Sequence, residues 1–185
     1  LSILSEDFMK RIKKTPNKNV AIELLKKLLK GSIRGVSKKT VVQSKKFSEV
    51  LNKLMENYYG RLLSSAEIID ELIKLAQEII EEEKKSKNSG LSVEEYAFYE
   101  ALSSNTSAIE VMGTDILKDI AKELTKTIQE NTTVDWTLRK NIRAKMRFEI
   151  KVLLRKYKYP PDLQKDAVEM VLRQAEVISE DSLAA

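Results

Sequence analysis

Ile68, Ile69, Leu72, Ile73, Leu75, Ala76, Ile79 and Ile80 recur at spacings of three and four across less than two dozen residues. At about 100° per residue this pattern lays two adjacent apolar stripes along one helix. A face that broad is covered only when at least two neighbouring elements pack against it. Val20, Ile22, Leu24, Leu25, Leu28 and Leu29 repeat the spacing, as do Val42, Phe47, Val50, Leu51, Leu54, Met55 and Tyr58. No segment alternates with the period of two that a strand requires. The chain has only 5 Gly and 3 Pro in 185 residues, too few for a fold built from many tight turns. The expected fold is all-α, a multi-helix bundle of about seven to eight helices, several of them long and amphipathic.

Capping residues and breakers set the expected boundaries. Ser5 with Glu6 and Asp7 opens a first helix to about Lys14, because a hydroxyl accepts an orphan amide and acids suit the positive end of the helix dipole. Thr15-Pro16-Asn17 interrupts it. A second helix stops at Lys30-Gly31, residues 31–37 form a linker, and a third helix runs from Ser37 to Tyr59-Gly60. Ser64 or Ser65 with Glu67 makes a capping box for the fourth, and Ser92 with Glu95 makes one for the fifth. Between them, residues 81–90 read as a solvated helix end and a mobile loop. One amphipathic segment is expected from Ile109 to about Gln129, then a loop at Asn131-Thr132-Thr133. Asp135 caps a long basic helix over 136–157, and Pro160-Pro161-Asp162 opens the last helix. Two regions follow, a lead-in of residues 1–60 and a domain of residues 61–185, with one continuous core as the alternative.

The residue inventory excludes much chemistry. The sequence has no His and no Cys, which removes imidazole bases, thiol nucleophiles, disulfides and the usual zinc sites. Its isolated glycines match no phosphate-cradling loop. Carboxylate pairs such as Glu67 with Asp70 or Glu71, and Asp115 with Asp119, are ordinary on helix surfaces. They lack the further acids and His of a bundle metal site. No catalytic residue, metal site or cofactor is expected in this segment. No apolar stretch approaches the roughly 18 residues of a membrane span, and the first residues do not resemble a signal peptide. A cytoplasmic chain without membrane contact is expected. Because it opens at Leu1 with no initiator Met, it is also expected to be a piece of something larger.

Charge is distributed in blocks. Basic residues outnumber acidic ones 13 to 4 in residues 1–50 and 9 to 2 in 133–160, whereas 51–132 and 161–185 are net acidic. The second basic block carries the candidate site. Along a helix over 136–157, Leu138, Ile142, Met146, Glu149, Ile150, Leu153 and Tyr157 share one side. Lys140, Arg143, Arg147, Lys151 and Arg155 lie opposite, with Trp136 projecting among the cations. The interaction or anion-binding set is Trp136, Arg139, Lys140, Arg143, Lys145, Arg147, Lys151 and Arg155. Trp and Arg are the residue types enriched in binding hot spots and on nucleic-acid surfaces. The competing reading of Trp136 is a helix-start residue folded over the core.

The run Asp135-Trp136 with Arg139-Lys140-Asn141-Ile142-Arg143-Ala144-Lys145-Met146-Arg147, then Leu154-Arg155-Lys156-Tyr157-Lys158-Tyr159-Pro160-Pro161-Asp162, resembles the closing block of the R (restriction, motor) subunit of type I restriction-modification enzymes. Val41-Val42-Gln43-Ser44-Lys45-Lys46-Phe47, Ala66-Glu67-Ile68-Ile69-Asp70 and Gly90-Leu91-Ser92 are similar to the region after that family's second motor domain. The resemblance covers nearly the whole chain, in order, up to the ending Asp181 to Ala185, to which no role is assigned. It implies the non-catalytic C-terminal helical domain of a subunit whose ATPase and nuclease, with their ATP and Mg, lie elsewhere. That domain would dock the motor on the methyltransferase and specificity subunits. Direct binding of duplex DNA by the basic helix is the alternative, and a small anionic ligand or nucleotide site between that helix and an acidic neighbour is a weaker one.

Overall fold

A computed structural model describes residues 4–132 and 135–184, apart from the side chains of Ser37 and of 181–184. Among the described residues there is no strand, and nine helices account for the regular structure. They are α1 (Glu6–Lys14), α2 (Lys18–Ser37), α3 (Val41–Tyr59), α4 (Ser65–Asn88), α5 (Val93–Ser103), α6 (Thr106–Met112), α7 (Thr114–Asn131), α8 (Lys140–Lys156) and α9 (Gln164–Ala184), with a 3₁₀ turn at Trp136–Leu138. None is long and apolar enough to cross a membrane. The chain parts into two compact units, one of Leu1–Ser37 with Gln43–Lys87, the other of Lys38–Val42 with Asn88–Ala185.

The first unit is held by one apolar cluster to which α1, α2, α3 and α4 all contribute, including Ile12, Leu25, Phe47, Leu51, Ile68 and Leu72. Both stripes of α4 are buried, as its sequence demands. The cap on α1 forms as read, Ser5 Oγ accepting from the Phe8 amide at 3.3 Å. Ser64 and Glu67 cap α4 reciprocally, at 3.3 and 2.8 Å. Three expectations fail here. The linker at 31–37 is helix, because burying Ile33 and packing Val36 on the core outweigh the roughly 1 kcal/mol that each helical glycine costs. The stretch 81–88 is also helix, laced by Lys84–Glu81, Lys85–Glu82 and Lys87–Glu83 pairs. The third helix starts at Val41 instead of Ser37. It ends in a turn that keeps the chain within this unit. Arg61 takes a left-handed φ of 59°, while the Leu62 amide donates to the Asn57 carbonyl at 2.8 Å.

In the second unit α5 packs against α7 and α9, and α8 packs against α9 and α7. Phe98, Leu102, Leu117, Ile120, Leu124, Trp136, Ile150, Leu154, Tyr159 and Val171 are among its core residues. Ser92 and Glu95 form the expected capping box. The single segment expected over 109–129 is two helices, split by Gly113 at φ 79° and ψ 158°, a conformation essentially closed to residues with a side chain. After α8 the chain reverses through Lys158, φ 56°, and drives Tyr159 inward. Tyr159 is 1% exposed, and its hydroxyl donates to the Leu102 carbonyl, one of the orphan acceptors at the end of α5, at 2.7 Å. Burial pushes this phenol up to about 12. Gln174 on α9, wholly buried, accepts from the Val41 amide at 2.8 Å and donates to the Lys39 carbonyl at 3.0 Å. Of the loop expected at 131–133, Thr132 follows α7. Thr133 lies outside the described residues, as do the side chains of the unassigned ending from Asp181.

Candidate interaction surface on the basic helix

The basic helix begins later than its sequence suggests. Asp135 makes no side-chain cap, residues 136–138 form a 3₁₀ turn, and α8 proper starts at Lys140 after Arg139. This detour turns Trp136 away from the cations. The indole is 1% exposed, and its Nε1 donates to Ser179 Oγ on α9 at 2.8 Å. Burying so large an aromatic surface, with its N–H satisfied, outweighs an extra turn of regular helix. Trp136 therefore stands in the core of its unit, in line with the competing reading of a helix-start residue folded over the core and not with a place on the basic face.

From Lys140 onward, α8 has three kinds of surface. Met146, Ile150, Leu153 and Leu154 point into the core. Beside them the cations on the inner flanks each meet an acid. Arg143 lies 2.7 Å from Glu176. Arg147 donates twice to Glu169, at 2.8 and 3.2 Å. Lys156 and the Tyr157 hydroxyl both donate to Glu123 on α7, each at 2.6 Å. Lys156 first, then that hydroxyl, holds the Glu123 carboxyl below the usual range, and Glu123 in turn raises Tyr157. The Arg147 guanidinium is raised by Glu169. These pairs fasten α8 to its neighbours at the modest strength of exposed ion pairs, up to about 1 kcal/mol each.

The outer face is different. Asn141, Ala144, Lys145, Phe148, Lys151, Val152 and Arg155 are all exposed, and at 100° per residue they fall within about 60° of Phe148. Among the described residues, Lys140, Lys145, Lys151 and Arg155 have no carboxylate within the 4.0 Å that defines an ion pair. Arg139 reaches Asp135 only at 4.0 Å. Ala144, Phe148 and Val152 run between these cations as an apolar stripe, Phe148 62% exposed and Val152 45%. Leu138, expected on the buried side, is 84% exposed. Of the eight residues singled out in the sequence, the structure thus brings Lys145, Lys151 and Arg155 onto one open face and leaves Lys140 exposed at the first position of the helix. It places Arg139 at its start, commits Arg143 and Arg147 to α9, and buries Trp136. The stripe of Phe148 and Val152 was missed. Its signal is the four-residue repeat 144, 148, 152, out of phase with the core series 142, 146, 150, 153.

Elsewhere, the first unit has an open groove of about 810 Å³ whose lining includes Asn19, Tyr58, Tyr59, Arg61 and Leu62. Its tyrosines are already engaged, Tyr58 donating to Asn19 at 3.1 Å and Tyr59 to Glu23 at 3.1 Å. Among the described residues, no group of three or more acidic side chains is placed to hold a metal ion.

Comparison with known proteins adds the following. Residues 1–181 match the family described as type I restriction enzyme HindI endonuclease subunit-like, C-terminal. The type I restriction enzyme HindI endonuclease subunit of Haemophilus influenzae is 40% identical over 181 residues, covering 98% of this chain and 17% of that protein. A putative type I restriction enzyme MjaIXP endonuclease subunit of Methanocaldococcus jannaschii is 36% identical over 157 residues, covering 84% of this chain and 15% of that one. No solved structure matches. The chain spans about a sixth of the length of these relatives.

Proposed function

Since this chain belongs to the family of type I restriction enzyme HindI endonuclease subunit-like C-terminal regions, we propose that it is the helical assembly domain of such a subunit. In this reading it docks an ATP-dependent, DNA-translocating and cleaving subunit onto the methyltransferase and specificity subunits and performs no chemistry itself. ATP and Mg serve the motor and nuclease of the parent chain. The absence of His and Cys from the sequence supports the non-catalytic half. The observation that carries the docking half is the contrast along α8. Its flanking cations are neutralised within the unit, whereas its outer face leaves cations and apolar side chains exposed together. A surface joining apolar groups to a charged rim suits a protein partner.

The test is size-exclusion chromatography of the chain mixed with the purified methyltransferase–specificity core, with and without duplex DNA. Co-elution without DNA is expected, and separate elution under all conditions would refute the reading. Duplex binding in the absence of the core, falling steeply with salt as counterion release requires, would favour the DNA alternative.

A further inference from the structure

We infer that the outer face of α8 receives an acidic amphipathic helix of a partner subunit. Its apolar side would lie along Ala144, Phe148 and Val152, and its carboxylates would meet Lys145, Lys151 and Arg155. This inference rests on the docking reading and adds to it an address and a partner chemistry.

The geometry is that of a helix seat. Residues at i, i+4 and i+8 make a stripe rising about 6 Å per step, which a second helix matches with its own apolar residues at three- and four-residue spacing. Ala144 leaves a shallow step beside the projecting Phe148, so a partner side chain can drop in next to the ring. Lys145 borders the stripe on one side and Lys151 on the other, with Arg155 near its C-terminal end.

The charge contrast selects the occupant. The chain carries 28 acidic residues, and Arg143, Arg147 and Lys156 on this same helix each have one at 2.6–2.8 Å. The outer cations have none within 4.0 Å among the described residues. A second copy of this face would set cations against cations. A duplex would neutralise the cations but leave Phe148 and Val152 against a polar phosphate backbone, wasting the apolar stripe. An acidic amphipathic helix satisfies both components.

The experiment uses the full-length subunit and the purified methyltransferase–specificity core. Phe148→Asp and the triple variant K145E/K151E/R155E should each weaken assembly by about 30-fold or more, the scale of losing one interface hot spot. The variants' helical circular dichroism and thermal midpoint should match the wild type, because these side chains are exposed. A photo-crosslinking residue at position 148 should capture a segment of a core subunit bearing apolar residues at helical spacing and flanking Asp or Glu. If the wild type assembles and both variants assemble equally well, this face is not the seat, while the docking reading survives. Crosslinks to DNA or to a second copy of this chain would overturn the inference. If the wild type itself fails to assemble, the docking reading falls and takes this one with it.

Discussion

Gln174 offers the sharpest test of how the second unit is held together. Its side-chain amide serves two backbone groups, the Val41 amide in the first turn of α3 and the Lys39 carbonyl before it. Gln174→Leu keeps the bulk and removes both hydrogen bonds. Both bonds are only part-buried, so water can take up some of the loss; at about 0.5–1.5 kcal/mol for each bond, a loss of about 1–3 kcal/mol is expected. Gln174→Glu separates the two bonds. One carboxyl oxygen can still accept from Val41, but the other faces a carbonyl and needs a proton to do so. The buried carboxyl is thereby raised above its unfolded value of about 4.3. A raised folded pKa means that the stability of this variant is fully present below about pH 4 and falls as pH rises, by about 1.4 kcal/mol per unit until the folded group ionises. Trp136, the only tryptophan and buried in the same unit, reports the transition by fluorescence during urea unfolding. A loss of about 2 kcal/mol moves the midpoint down by about 0.7–2 M. The reasoning is refuted if the Leu variant stays within about 0.5 kcal/mol of wild type, or if the Glu variant follows the wild-type pH profile between pH 4 and 8.

Three further outcomes are expected. Because the Tyr159 phenol is raised to about 12 against about 10 when unfolded, its stabilising share is intact below pH 10 and is lost between about pH 10 and 12, up to roughly 2–3 kcal/mol. Tyr159→Phe should flatten that alkaline slope in urea titrations at the cost of about 1 kcal/mol near neutrality. Gly113→Ala should destabilise by about 1–3 kcal/mol through backbone strain alone, since nothing lies within 4 Å of the added methyl, and thermal denaturation will show it. Arg61→Gly should stabilise the first unit by about 0.5–1 kcal/mol, because a side chain now occupies a left-handed helix end that favours glycine.

The parts of this fold legible in the sequence are those written locally. Ser5, Ser64 with Glu67, and Ser92 with Glu95 name their helix starts because cap and partner lie within a few residues. The broad stripe of α4 likewise announces its burial. What sequence spacing concealed depended on distant partners. Gly31 and Gly35 look like punctuation, yet the core's grip on Ile33 keeps the helix running through them. Gly113 looks like an isolated tolerated glycine, and only the backbone reveals a break. Gln174 sits in an apolar series with no local sign that its amide caps a turn more than a hundred residues earlier. At the candidate site, helical phase identified the cations, but it was extrapolated through a 3₁₀ turn. That extrapolation put Leu138 inside, the reverse of its position, and left Trp136 with two readings, of which the one folded over the core matches its burial.

The union of Lys38–Val42 with Asn88–Ala185 also bears on how the polypeptide is made. Gln174 follows the Val41 amide that it serves by 133 residues. At a synthesis rate of about 5–20 residues per second, the short segment waits roughly 7–27 s on the ribosome before its partner is even polymerised. During that interval the preceding helices can assemble, since among the described residues their core draws on Leu4 and α1 to α4. The second unit closes last, and a nascent chain stalled before residue 174 lacks the side chain that ties Lys39 and Val41 to α9.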